Sequence, residues 1–133
     1  LGIPANRARI GPRTWRFAPA LEGQDQSTQL DLSVDDSGDH LVLRAPLAKL
    51  PSERFEHVYR HLLTLNDESA GAYRFSVVDA AVYLSLFEPV LHVDSATFAT
   101  TISDFTRAST QYRGVLSRHF RLEPLFECEP DGG

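Results

Sequence analysis

Gln29-Leu30-Asp31-Leu32-Ser33-Val34, then Asp35-Asp36-Ser37-Gly38-Asp39, then His40-Leu41-Val42-Leu43-Arg44-Ala45 is the stretch that decides the fold class. Its first part alternates apolar and polar residues with period two, the pattern of a half-buried strand. The Asp/Ser/Gly run supplies turn chemistry, and the third part is the returning strand, so the whole reads as a hairpin. A shift of 43 residues carries Ser33 onto Ser76, Val34 onto Val77, Leu43 onto Leu86, Pro46 onto Pro89, Ser52 onto Ser95 and Phe55 onto Phe98. The chain is therefore read as two copies of one unit: hairpin, proline-broken link, helix.

In the second copy, Ala72–Val78 and Val82–Phe87 are the strands and Asp79-Ala80 the turn. Tyr83 and Phe87 give the latter strand a second apolar face. In the first copy, Pro46 and Pro51 bracket a short link before a helix from about Ser52. Its apolar positions, Phe55, Val58, Tyr59, Leu62, Leu63 and Leu65, spread over an arc of roughly 160°, wider than the ~100° needed to lie on one sheet. Asn66 to Gly71 should end it. The last helix is expected from Ser95 to His119, with Asp94 as N-cap. Phe98, Ile102, Phe105, Ser109, Tyr112 and Leu116 form its apolar stripe, and Ser103, Thr106, Thr110 and Ser117 a polar flank expected to face solvent. Upstream, Thr14–Ala18 reads as a further strand with Trp15 in the core, Glu22–Ser27 as a loop, and residues 1–13 as an irregular basic arm. Residues 121–133 read as an acidic flexible tail. The expected order is βββ-α-ββ-α, a single α+β domain over 1–133 with an antiparallel sheet of about five strands.

With 133 residues, 42% of them hydrophobic and 23% charged, the chain can close one core. No apolar run reaches the roughly 20 residues of a membrane span, and no signal peptide is evident. Arg7, Arg9, Arg13 and Arg16 stand before any acid, and the remainder carries 9 basic and 18 acidic residues, a net of −9. Such a body repels nucleic acid and anionic lipid. The single cysteine, Cys128, excludes an intrachain disulfide, and its acidic neighbours disfavour a thiolate.

No phosphate loop, nucleophile elbow, HExxH or CxxC occurs in the chain. His57 and His61 have the i, i+4 spacing of a metal pair, but two ligands leave zinc unsatisfied, so both are read as solvated. The expectation is no catalytic residue, no metal and no cofactor. A small metal-dependent or hydrolytic enzyme is the remote alternative.

Leu62-Leu63-Thr64-Leu65-Asn66, followed by Gly71-Ala72-Tyr73-Arg74-Phe75-Ser76-Val77, resembles the central stretch of class I type III secretion chaperones, the Tir chaperone family. In that family a helix ends in Leu-Leu-x-x-Asn before a Gly-Ala-containing hairpin. Leu84-Ser85-Leu86-Phe87-Glu88-Pro89-Val90-Leu91-His92-Val93-Asp94 is similar to its strand and proline link, and Phe105 to Tyr112-Arg113 to its closing helix. YbjN-like domains share the pattern. Where the family has an opening amphipathic helix, this sequence has Leu1-Gly2-Ile3-Pro4 and the arginine-rich segment, so either that helix lies upstream or the chain is a divergent member. The resemblance implies a cytoplasmic, non-enzymatic homodimer that binds an extended N-terminal segment of a secreted effector and keeps it secretion-competent. A YbjN-like regulatory or stress-related interaction domain is the alternative. The expected partner or dimer surface comprises Val58, Leu62 and Leu65 on the first helix and Tyr83, Leu84 and Phe87 on the last strand.

Overall fold

The two hairpins expected from the repeat lie side by side in one antiparallel sheet. In chain order the elements are β1 (Arg9–Gly11), β2 (Thr14–Phe17), β3 (Leu30–Val34), β4 (His40–Lys49), α1 (Glu56–Glu68), β5 (Tyr73–Val78), β6 (Ala81–Pro89), a single 3₁₀ turn (Val90–His92), α2 (Ser95–Phe120) and β7 (Glu123–Pro124). This computed structural model describes residues 9–11, 13–19, 28–35, 37–51, 53, 55–68 and 73–127. The expectations for Glu22–Ser27, a helix start at Ser52, the turn at Ser69 to Gly71, and Cys128 lie outside them. The sheet runs β1-β2-β3-β4-β6-β5, with β7 paired to β4, and the protein is α+β.

Register follows from the alternation. Leu43 sits opposite Leu86 and Ala45 opposite Leu84, so the apolar members of the central strands share one face. On β5, Phe75 sits opposite Leu84 and adds to that face. Both helices cover it: Val58 and Leu62 of α1 and Ile102, Phe105 and Leu116 of α2 join Leu43, Leu84, Leu86 and Phe75 in one buried cluster. Phe105 meets the Tyr73 ring edge-on at 5.9 Å between centroids, and Tyr112 meets Phe75 at 4.9 Å. Burying a side chain such as Leu84 or Ile102 contributes about 1.5–3 kcal/mol each. Trp15 packs against the same cluster from β2.

The N-terminus of α2 is as expected. Asp94 accepts the Thr97 amide at 2.9 Å while the Thr97 hydroxyl accepts the Asp94 amide, a reciprocal capping box.

Four expectations are corrected. Pro46 lies inside β4 rather than in a link, at an irregularity between Pro46 and Ala48 where a missing N–H costs no ladder bond. The helix α1 begins at Glu56, later than expected, and ends at Glu68, within the stretch expected to end it. The basic arm is not wholly irregular, since Arg9–Gly11 pairs with β2. The tail is not wholly loose: Leu122 is buried, β7 pairs with Ala48 and Lys49, and Leu125 donates its amide to the Leu47 carbonyl at 3.1 Å.

Candidate binding surface

The wide apolar arc of α1 divides in two. Val58 (2 % exposed) and Leu62 (5 %) face the sheet, and Phe55 and Leu65 pack partly against the same core. Val58 and Leu62 are therefore core residues of this chain, which corrects the expectation that they form a surface. What the fold leaves outside is Tyr59 and Leu63, the latter 69 % exposed. They line an open concavity of about 520 Å³ together with Glu56, Arg60, Thr64 and Asp67. Both are apolar positions of the predicted helix, but only the sheet decides which part of the arc it takes.

β6 divides in the same way. Val82, Leu84 and Leu86 face the helices, so Leu84 is core and not surface. Tyr83 and Phe87 point to the opposite face of the sheet. Tyr83 is buried there, with the Arg44 guanidinium 4.5 Å from its ring centroid, an arrangement that favours the cation and screens the ring. Phe87 is 48 % exposed and sits opposite Val42. On that face Arg16 and Asp31 form a two-bond ion pair, Nε to Oδ1 at 2.8 Å and a terminal nitrogen to Oδ2 at 3.1 Å. Of the six expected surface residues, the structure thus keeps Phe87 accessible and Leu65 partly so.

Two edges of the sheet are closed by side chains. β5 is paired on one side only, and its middle is filled by Asn66 of α1. The Asn66 carboxamide oxygen accepts the Phe75 amide at 2.7 Å and its nitrogen donates to the Phe75 carbonyl at 3.1 Å. One side chain thus reproduces both bonds a neighbouring strand would make. The second closure lies where β3 stops short and β4 runs on. There Arg113 of α2, 4 % exposed, donates through Nε to the Leu125 carbonyl at 2.8 Å and through its terminal nitrogens to Thr28 Oγ1 at 3.0 Å and the Pro46 carbonyl at 2.6 Å. Its guanidinium lies 4.5 Å from the Phe126 ring centroid. Burial pulls this guanidinium down to about 10, which leaves it charged at neutral pH. Arg113 falls on the helical stripe of Ile102, Thr106 and Ser109. Thr106, expected to face solvent, is fully buried, its hydroxyl donating to the Ile102 carbonyl at 2.7 Å. The signal was there: two small residues, Thr106 and Ser109, on the turns before a long side chain on one stripe leave room for it.

His57 is exposed, as expected, whereas His61 is half-buried against the Phe120 ring at 5.0 Å, which corrects the reading of His61 as solvated. Among the described residues, His61 Nε2 is the buried side-chain polar atom without a hydrogen-bond partner, and no group of three or more His, Cys, Asp or Glu is placed to hold a metal ion. Among the same residues no helix is long and apolar enough to cross a membrane. No protein-family model and no curated protein matches the chain.

Proposed function

We propose that the chain is a non-enzymatic, secretion-chaperone-like protein, acting in the cytoplasm as a homodimer that holds an extended segment of a secreted effector. The observation that carries this reading is the exposed apolar stripe on α1, Tyr59 and Leu63, together with a further accessible aromatic, Phe87, on the sheet face away from the helices. Exposed apolar side chains that adjoin one another, as Tyr59 and Leu63 do on one helix face, mark interaction sites more than isolated ones do. The α1 stripe suits a second copy, because with Leu63 near a two-fold axis Arg60 of one chain meets Asp67 of the other. The Phe87 face then remains for the effector segment, whose apolar side chains can pack on Phe87 and on Val42 opposite it.

The test uses the N-terminal segment of a secreted protein encoded beside this gene. Calorimetry should show binding with a negative heat-capacity change and modest salt dependence, and circular dichroism should show the bound segment still unfolded. A chain that stays monomeric at high concentration and does not bind such a segment overturns the reading.

A further inference from the structure

We infer that the outer edge of β4 between Pro46 and Lys49 is a strand-accepting slot, filled in the resting chain by its own tail and read by Arg113. The slot exists because β3 pairs with β4 only as far as Arg44, so the next residues of β4 are paired with β6 on one side and have no β3 partner on the other. The tail takes that place with a short ladder, Ala48 to Pro124 and Lys49 to Glu123, extended by the Leu125 amide on the Leu47 carbonyl. Such a ladder holds its strand weakly, and Pro124 brings no N–H to it. Glu123 and Pro124 are exposed.

Arg113 sets what can replace the tail. Two of its three bonds go to the scaffold, at Thr28 and Pro46, and the third goes to the tail carbonyl of Leu125, with the Phe126 ring centroid 4.5 Å from the guanidinium carbon. When the tail leaves, Nε–H and one guanidinium face lose their partners in a buried place, a costly state. An incoming segment must therefore bring a backbone carbonyl followed at once by an aromatic side chain. The slot is thus specific for an extended protein segment with an aliphatic–aromatic pair, the chemistry of Leu125-Phe126. This rests on the reading that the protein holds extended segments, and it names the class of segment and the device that keeps the site closed when none is bound.

Hydrogen exchange on the full chain measures the opening itself. The Leu125 and Gln29 amides, the latter bonded to the Phe126 carbonyl at 2.8 Å, should exchange at least tenfold faster than the amides of the β4–β6 ladder. Equal rates mean that the tail opens only with global unfolding and overturn the inference. The second arm adds a synthetic, end-capped Leu122–Glu127 peptide in trans. The Phe126→Ala chain should bind it at least tenfold more tightly than the unaltered chain, and the same peptide with its phenylalanine replaced by alanine should not bind. Equal peptide affinity for both chains overturns the slot. If that happens while the effector segment still binds the unaltered chain, the proposed function stands and the slot alone is lost.

Discussion

Arg113 shows how one residue can tie three separated parts of a chain without a carboxylate. Its partners, Thr28, Pro46 and Leu125, are a hydroxyl and two carbonyls, so the fork geometry of guanidinium is used for reach in three directions rather than for charge pairing. Asp35 does related work at the other end of the sheet. Its carboxylate accepts the Ser37 hydroxyl, the amides of Asp39 and His40, and the His40 ring at 3.0 Å, and the bond from Ser37 before all others lowers it to about 2. A carboxyl whose folded pKa lies below its unfolded value of about 3.9 adds stability above that value and loses it as pH falls to the folded one. Between pH about 4 and 2, therefore, the Asp35→Asn variant should show a flatter acid limb in denaturation midpoints than the wild type. Equal slopes would refute the assignment. The β5–β6 turn carries the opposite effect, a strain. Asp79 (φ 49°) and Ala80 (φ 64°) both occupy the left-handed region, where a side chain costs roughly 1–2 kcal/mol relative to glycine. Ala80→Gly should raise stability by up to about 1 kcal/mol, part of the relief being offset by the greater freedom of the unfolded chain. Urea unfolding checks it, with the slope unchanged and the midpoint raised.

At the scale of elements, the closing of β5 by α1 explains why a helix ends where it does. Asn66 lies in the last turns of α1, and its two bonds to Phe75 hold the helix end against the strand edge. This also gives a physical reason for the asparagine that follows Leu62-Leu63 in the motif. A carboxamide accepts at its oxygen and donates from its nitrogen, so it can match the N–H and C=O of one residue on a strand edge. Asn66→Ala leaves a part-buried amide and carbonyl without partners and should cost about 1–3 kcal/mol. Asn66→Asp retains the acceptor but sets an oxygen against the Phe75 carbonyl, so it should be no more stable than the alanine variant at neutral pH and should recover as acid protonates it. Thermal melts of the two variants at pH 7 and pH 4 decide this, and a neutral Asn66→Ala would reject the edge role. The strand boundaries were legible from alternation: β2, β3 and β5 begin and end within a residue of the pattern. The long β4 was not. A proline is a stop signal in sequence, and only the neighbouring Arg113 and the local irregularity make Pro46 fit within a strand. The short β1 and β7 were also hidden, since a few residues carry no period and their pairing is set by the vacancy beside β2 or β4.

At the scale of the whole molecule, the 43-residue repeat becomes an approximate two-fold axis through the sheet. The inner strands run β3-β4-β6-β5, an order that reads the same when the halves are exchanged, and Leu43 and Leu86, equivalent in the repeat, sit directly opposite each other. Pro46 opposite Tyr83 and Pro89 opposite His40 are likewise exchanged by the shift. Each helix crosses to the other half: α1 packs on β5 and α2 on β4, so neither hairpin-plus-helix unit can bury its apolar face alone. That crossing was not legible in periodicity, which names the apolar arc of a helix but not the strand beneath it. It is also why Val58 and Leu62 were mistaken for surface. The correction yields the last prediction. Val58 is 2 % exposed, and a carboxylate there is buried without a partner, costing several kcal/mol. Val58→Asp should therefore unfold or aggregate the protein whatever its oligomeric state. Leu63, at 69 % exposed, loses little intrachain burial on the same change. In a homodimer built on the outer face of α1, Leu63→Asp places two carboxylates near the two-fold axis, where like charges repel and desolvation is uncompensated. Light scattering should then show a wild-type dimer and a Leu63→Asp monomer whose circular dichroism spectrum is unchanged. A Leu63→Asp protein that remains dimeric removes α1 from the interface, and a monomeric wild type removes the dimer itself.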